Sequence, residues 1–343
     1  MAACVSKTSV LHIDPMVVRV GKDADLPSGT YHADTLLYYA QKAEVGQEIA
    51  KAQRLYSRLM IEFPNSYLRR TAMFGWGRTN EAINGCRVAA RIYQDITMEE
   101  VTGGEKTDWV DAHFRAASCF VELATPNEAI VLMNRLLLQS WLTPIDKLDA
   151  KVSRGIAYER SEKWEQAESD LLLVLGENDA KEIEFNKDPA RRFVVAKATY
   201  HLGEINRHYF DSVKLEFPQN ILEQRLEEKS QHLLRAQNYY VRAIRLGDLQ
   251  TAAAAGYQIG ALYENFHQQI VALNPPADLT VEQTDLYRNE VRNKVSILLQ
   301  KAVKVYEEAI AMARRTGLDS EWIDRTSEAV ERIKKTYFVE TPG

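Results

Sequence analysis

The chain has three cysteines in 343 residues, Cys4, Cys86 and Cys119. No two stand in the C-x-x-C spacing that a zinc site or a thioredoxin-like centre needs. No block of lysine and arginine occurs, and 43 basic against 48 acidic residues leave a net charge of −5. The electrostatic footprint of a nucleic-acid binder is therefore missing. No apolar run is long enough to span a bilayer; the best candidate, Thr251 to Leu262, is short and interrupted by Gln258. Strand-like alternation is scarce, and Asn84-Gly85 joins two helical patterns rather than two strands.

Signatures of catalysis are equally thin. Thr102-Gly103-Gly104-Glu105-Lys106-Thr107 lacks the glycine before lysine and the leading strand of a phosphate-binding loop, so it reads as a linker. Acid pairs such as Glu159/Glu162 and Glu227/Glu228 are ordinary on solvated helices. No glycine elbow or Ser/His/Asp order surrounds a nucleophile. His201, Glu204 and His208 share one helix face and could hold a divalent ion, but H-E-x-x-H is absent and no fourth ligand is suggested. The expectation is a protein that is not an enzyme, with no cofactor and no metal. A metal-binding helical enzyme built on the His201/Glu204/His208 face is the alternative.

What is present is helical periodicity. Apolar residues make up 45% of the chain and charged residues 27%, as in a folded soluble protein. Residues 1–32, broken by Pro15, Gly21, Pro27 and Gly29, read as extended; from Ala33 onward apolar residues recur at helical spacing. The length exceeds a single compact core, which points to two domains or an array without a centre.

The helical pattern repeats. In Ala150 to Leu175, Gly155 and Ala167 are small enough for two helices to approach, Tyr158 fills the space beside them, Glu162-Lys163 makes a turn and Trp164 opens the second helix. Ala117, Phe120 and Ala129 repeat this spacing around Thr125-Pro126-Asn127. So do Gly77 and Ala89, with Trp76 before and Tyr93 after, although Asn80 departs by taking the aromatic position, and more weakly Ala40, Ala43, Ala52 and Tyr56. Two later copies are stretched: Gly203 with Ala236 and Tyr240, and Gly260 and Tyr263 with Ala302 and Tyr306. Their turns fall at Phe217-Pro218 and Asn274-Pro275-Pro276, and a final helix from about Ser320 to Tyr337 covers the end.

This pattern resembles the tetratricopeptide repeat (TPR) family. The resemblance implies an all-α, TPR-like α-solenoid, a right-handed superhelix of antiparallel helix pairs whose last two hairpins are elongated. Residues 1–32 would form an extended segment, 33–180 regular repeats, 181–317 elongated hairpins, and 318–343 a capping helix and tail. It further implies a partner-binding groove lined by the first helix of each pair. That groove would hold Phe74, Arg78, Phe114, Glu122, Glu159 and Arg160 in the regular repeats, and Tyr200, Glu204, Arg207, His208, Tyr257 and Glu264 in the stretched ones. Leu37, Gln41 and Thr71 stand where chaperone-binding members carry part of a polar clamp, so chaperone tails are not expected partners.

The stretch ending in Phe63-Pro64-Asn65-Ser66 is similar to bacterial envelope TPR proteins of the BamD-like and gliding-machinery groups. Met1-Ala2-Ala3-Cys4 resembles the end of a lipoprotein signal, although the basic and apolar parts of a signal are absent. Together they suggest a scaffold or adaptor in a bacterial envelope assembly, periplasmic and anchored to the outer membrane through Cys4. A cytoplasmic protein with an unmodified start, or a purely structural self-assembling subunit, are the alternatives. Cys86 and Cys119 read as buried free thiols; a disulfide between neighbouring helices is the other option, open only in an oxidising compartment.

Overall fold

The computed structural model describes residues 17–19, 25–26, 29–99, 106–179, 188–276 and 279–337. They form two short strands and thirteen helices, in two compact units that divide at Trp141/Leu142. Cys4 and residues 102–105 lie outside the described residues.

Unit 1 contains β1 (Val17–Arg19), β2 (Gly29–Tyr31), α1 (Ala33–Val45), α2 (Ile49–Glu62), α3 (Arg69–Asn84), α4 (Cys86–Met98), α5 (Lys106–Glu122) and α6 (Pro126–Leu137). The segment expected to be merely extended contributes β1 and β2, which pair antiparallel with Val17 opposite Tyr31. Tyr31 is buried and donates its hydroxyl proton to Glu62 at 2.6 Å, which ties this pair to α2. Leu26 and Tyr31 extend the core formed by Leu36, Leu55, Tyr56 and Phe63.

Unit 2 contains α7 (Pro144–Arg160), α8 (Trp164–Asp179), α9 (Pro189–Ser212), α10 (Gln219–Arg245), α11 (Leu249–Val271), α12 (Val281–Thr316) and α13 (Glu321–Tyr337). Local chemistry sets the helix ends. Pro126, Pro144 and Pro189 occupy first turns, where a missing N–H costs nothing. Thr143, Asp188 and Asp248 accept backbone N–H groups as N-caps, and Thr280 and Gln283 cap each other reciprocally. Gly85, at φ 63°, lets α3 turn directly into α4.

In each unit consecutive helices pack as antiparallel hairpins, and each hairpin packs on the next through α2–α3 and α4–α5, or α8–α9, α10–α11 and α12–α13. The odd-numbered helices also touch one another: α1–α3 and α3–α5 in unit 1, α7–α9, α9–α11 and α11–α13 in unit 2. Their closer approach makes them the inner row of each unit. Within a hairpin, small residues on the inner helix let the outer one pack closely. A β-carbon on Gly77, Gly203 or Gly260 would come within 2.5, 2.5 and 2.2 Å of the rings of Tyr93, Tyr240 and Tyr306. All three tyrosines are fully buried.

Helix lengths change within unit 2. The hairpins α9–α10 and α11–α12 have 24- and 27-residue, then 23- and 36-residue helices, against 17 and 16 for α7 and α8. The end of α9 is closed by Lys229, fully buried on α10, whose ammonium donates to the carbonyls of Phe210 and Val213 and lies 4.0 Å over the Phe210 ring. Burial pulls this lysine down to a pKa of about 8.

One expectation is corrected. Cys86 and Cys119 are not free thiols: they form a disulfide between α4 and α5, with Cα atoms 4.9 Å apart. Helix packing brings the first residue of α4 against the fourth turn of α5, a proximity invisible at a sequence separation of 33.

The close glycine contacts predict a clear asymmetry within unit 2. Gly203→Ala forces a methyl group into the Tyr240 ring and should cost about 1–3 kcal/mol. Gly176→Ala, in α8 with nothing within 4 Å of the new carbon, should be neutral or stabilising by up to about 1 kcal/mol. Chemical denaturation of the two variants checks this; equal effects would contradict the packing described.

Candidate interaction surface

A recurrent arrangement stitches the hairpins together along the inner rows. Tyr56 of α2 donates to Glu44 of α1 at 2.6 Å, and Arg78 of α3 donates two hydrogen bonds to the same carboxylate at 2.7 and 2.8 Å. One hairpin later, Tyr93 donates to Glu81 at 2.7 Å and Arg115 of α5 joins it at 2.9 Å. In unit 2, Glu159 meets His201 of α9 at 2.6 Å, and Tyr240 and Arg207 converge on Glu204 at 2.6 and 2.8 Å. Glu264 takes Tyr306 at 3.5 Å and Arg332 of α13 at 2.8 Å.

Four of these five glutamates accept a tyrosine hydroxyl from the outer helix of their own hairpin, Glu159 being the exception. Glu44, Glu81 and Glu264 take an arginine from the next inner helix, Glu159 takes His201 from it, and Glu204 takes Arg207 of its own helix. Charge-assisted bonds of this kind exceed neutral ones in strength. Burial pushes the Glu44 carboxyl up, but the bonds from Arg78 and Tyr56 outweigh it and leave its pKa below the ordinary value. Burial, then the Glu44 contact, raises the Tyr56 hydroxyl.

Spacing within the first helix carries a signal for this network. Glu44, Glu81, Glu159 and Glu264 each stand four residues after the small residue of the inner helix, Ala40, Gly77, Gly155 and Gly260. Within each unit the helices are paired and stacked in sequence order, as the repeat spacing predicts. No family model matches the chain, and no curated protein matches it. Among solved structures, a tetratricopeptide repeat protein from Parabacteroides merdae ATCC 43184 is similar over 87% of this chain and 98% of that one, at 15% identity and a TM-score of 0.41.

The network engages many of the residues expected to face a partner. Arg78 is held by Glu44, Glu159 by His201, Glu264 by Arg332, and Arg207 by Glu204 and Asp211. Phe74 is 5% exposed, with the guanidinium groups of Arg78 and Arg115 at 5.0 and 5.9 Å from its ring. Tyr200 packs on Tyr240, and Tyr257 lies against Tyr306 and Trp322. His208 stacks on Trp164 at 3.7 Å. Phe114 is half-buried, while Glu122 and Arg160 are exposed. On α1, Tyr38 and Val45 are 59% and 84% exposed; they lie seven residues apart on one helix face, and the spacing argument passed them over.

The metal alternative finds no geometry. His201, Glu204 and His208 each turn to a different partner, Glu159, Tyr240 with Arg207, and Trp164. Among the described residues no group of three or more His, Cys, Asp or Glu is arranged to hold a metal. No helix among them is long and apolar enough to cross a membrane.

One buried histidine stands apart from the network. His113 of α5 is fully buried and donates through Nδ1 to the Trp109 carbonyl at 2.9 Å. Its Nε2 and the Trp109 Nε1 are buried without a partner. Burial lowers its pKa from 6.5 to about 4, and Arg135 adds to this.

The unfolded chain therefore takes up this proton at a higher pH than the folded one. Stability that is whole above pH 6.5 should fall by on the order of 3 kcal/mol as the pH drops to about 4. Below the ordinary glutamate value, the depressed Glu44 should add a further loss. Denaturation midpoints measured across this range, for the native chain and for His113→Phe, check the assignment. The variant should flatten most of the slope between pH 6.5 and 4, leaving the share of His232 and His267, which burial also lowers, and should keep the loss at lower pH.

Proposed function

We propose that this chain is a protein–protein interaction scaffold and not an enzyme, and that it holds a partner along the inner row of helices. The stitched inner rows carry this reading. Shared glutamates fix the spacing of successive inner helices, and the side chains left outward form a rigid, regularly spaced display, the property a recognition surface needs. Tyr38, Val45, Phe114 and Glu122 in unit 1 and Arg160 in unit 2 are the side chains best placed to make contact.

The setting we propose is a bacterial envelope assembly, with the protein periplasmic and tethered to the outer membrane through Cys4. The Cys86–Cys119 disulfide supports an oxidising compartment. The small residues before Cys4 support lipid attachment.

A photo-crosslinking residue at Tyr38 or Glu122, introduced in the native cell, should capture one discrete partner, whereas the same residue at Ile61 on α2, 74% exposed, should capture none. Efficient capture from Ile61 alone would contradict the surface assignment. Mass analysis of the N-terminal peptide from the same preparation should find a lipid on Cys4; an unmodified Cys4 would remove the anchor and leave the scaffold reading standing.

A further inference from the structure

The third hairpin of unit 1, α5–α6, differs from its neighbours. Four residues after Ala117, where other inner helices carry a glutamate, it has Val121; four residues after Ala129, where other outer helices carry a tyrosine, it has Met133. It also contains the two buried ring nitrogens without partners among the described residues of unit 1, on Trp109 and His113. Its own helices therefore lack the tie that joins α1–α2 and α3–α4. Polar links to the second hairpin run from Thr71 to Asp108 and from Arg135 to Met98; at the Gly85 end they are the Glu81–Arg115 pair and, one turn along α5 from Arg115, the Cys86–Cys119 bond. Glu81 lies five residues before Cys86, across the Gly85 turn, so both links close the same seam.

We propose that the Cys86–Cys119 bond is a redox-dependent lock on the third hairpin. When it is formed, it fixes α5 against α4. When it is reduced, α5 and α6 loosen locally while α1–α2 and unit 2 keep their structure. Reduction breaks the one S–S bond. A dithiol supplies the two electrons, passes through a mixed disulfide and closes to its own disulfide, and its two protons end on the Cys86 and Cys119 thiols. Cys86 is 5% exposed and Cys119 1%, so the attacking thiolate reaches the bond only when the seam opens. The lock is consequently slow to reduce in the folded chain, and its state records the compartment in which the chain folded. Because α5 carries Phe114 and Glu122, opening reaches the inner row as well.

Amide hydrogen exchange read by mass spectrometry tests this on the full chain. The oxidised protein is compared with protein incubated in dithiothreitol and with Cys86→Ala/Cys119→Ala. Reduction should speed exchange in α5 and α6 at least tenfold and leave α1, α2 and unit 2 unchanged. The double variant should match the reduced chain with or without dithiothreitol. Identical exchange in oxidised and reduced chains would overturn the proposal. So would equal loosening of unit 2, or peptide mapping that finds both thiols free in protein isolated under thiol-blocking, non-reducing conditions.

Discussion

In α3–α4, α9–α10 and α11–α12, a buried tyrosine of the outer helix fills the space that a glycine leaves on the inner one, and its hydroxyl ends on a glutamate of that inner helix. The ring allows the two helices to approach without a void, and the hydroxyl finds the acceptor that a buried phenol requires. The carboxylate is then oriented toward a cation, which comes from the next inner helix at Glu81 and Glu264 and from the same helix at Glu204. At Glu81 and Glu264, packing within one hairpin thereby prepares the polar contact that receives the next.

The consequence is an economy of charge. A chain with 27% charged residues could expose most of them, yet several along the inner rows are engaged inside the molecule. Pairs such as Arg78–Glu44 are partly shielded, at 33% and 21% side-chain exposure, and are bidentate; such geometry is worth more than an isolated surface ion pair. The hairpins without a tyrosine are held otherwise. Leu171 meets Gly155 in α7–α8, where Glu159 pairs with His201. In α5–α6 Met133 is fully buried in the tyrosine's place, and a disulfide spans the seam before it.

Much of the hairpin order was legible in sequence, because small residues and aromatics at helical spacing report a contact between adjacent helices. Gly77 with Tyr93, Gly203 with Tyr240 and Gly260 with Tyr306 are each recoverable from spacing alone. Asn80, noted as a departure, proves to be buried and bonded to the Trp76 carbonyl and Gln53. The surface was harder to read. A glutamate such as Glu44 looks like any solvated helix residue, and its cation, Arg78, lies 34 residues away on another hairpin. Positions chosen because they face inward were therefore assigned to a partner when the adjacent helix already uses them. The pairing of β1 with β2 and of Cys86 with Cys119 also depends on tertiary placement that local periodicity does not encode.

The claim that one glutamate couples a hairpin to its successor is tested most directly by a double-mutant cycle on Tyr56→Phe and Arg78→Met, which do not replace the shared Glu44. If Tyr56 orients the carboxylate that Arg78 grips, the two losses of stability should be non-additive, with a coupling of about 0.5–3 kcal/mol. Strict additivity, with each variant destabilising independently of the other, would contradict it.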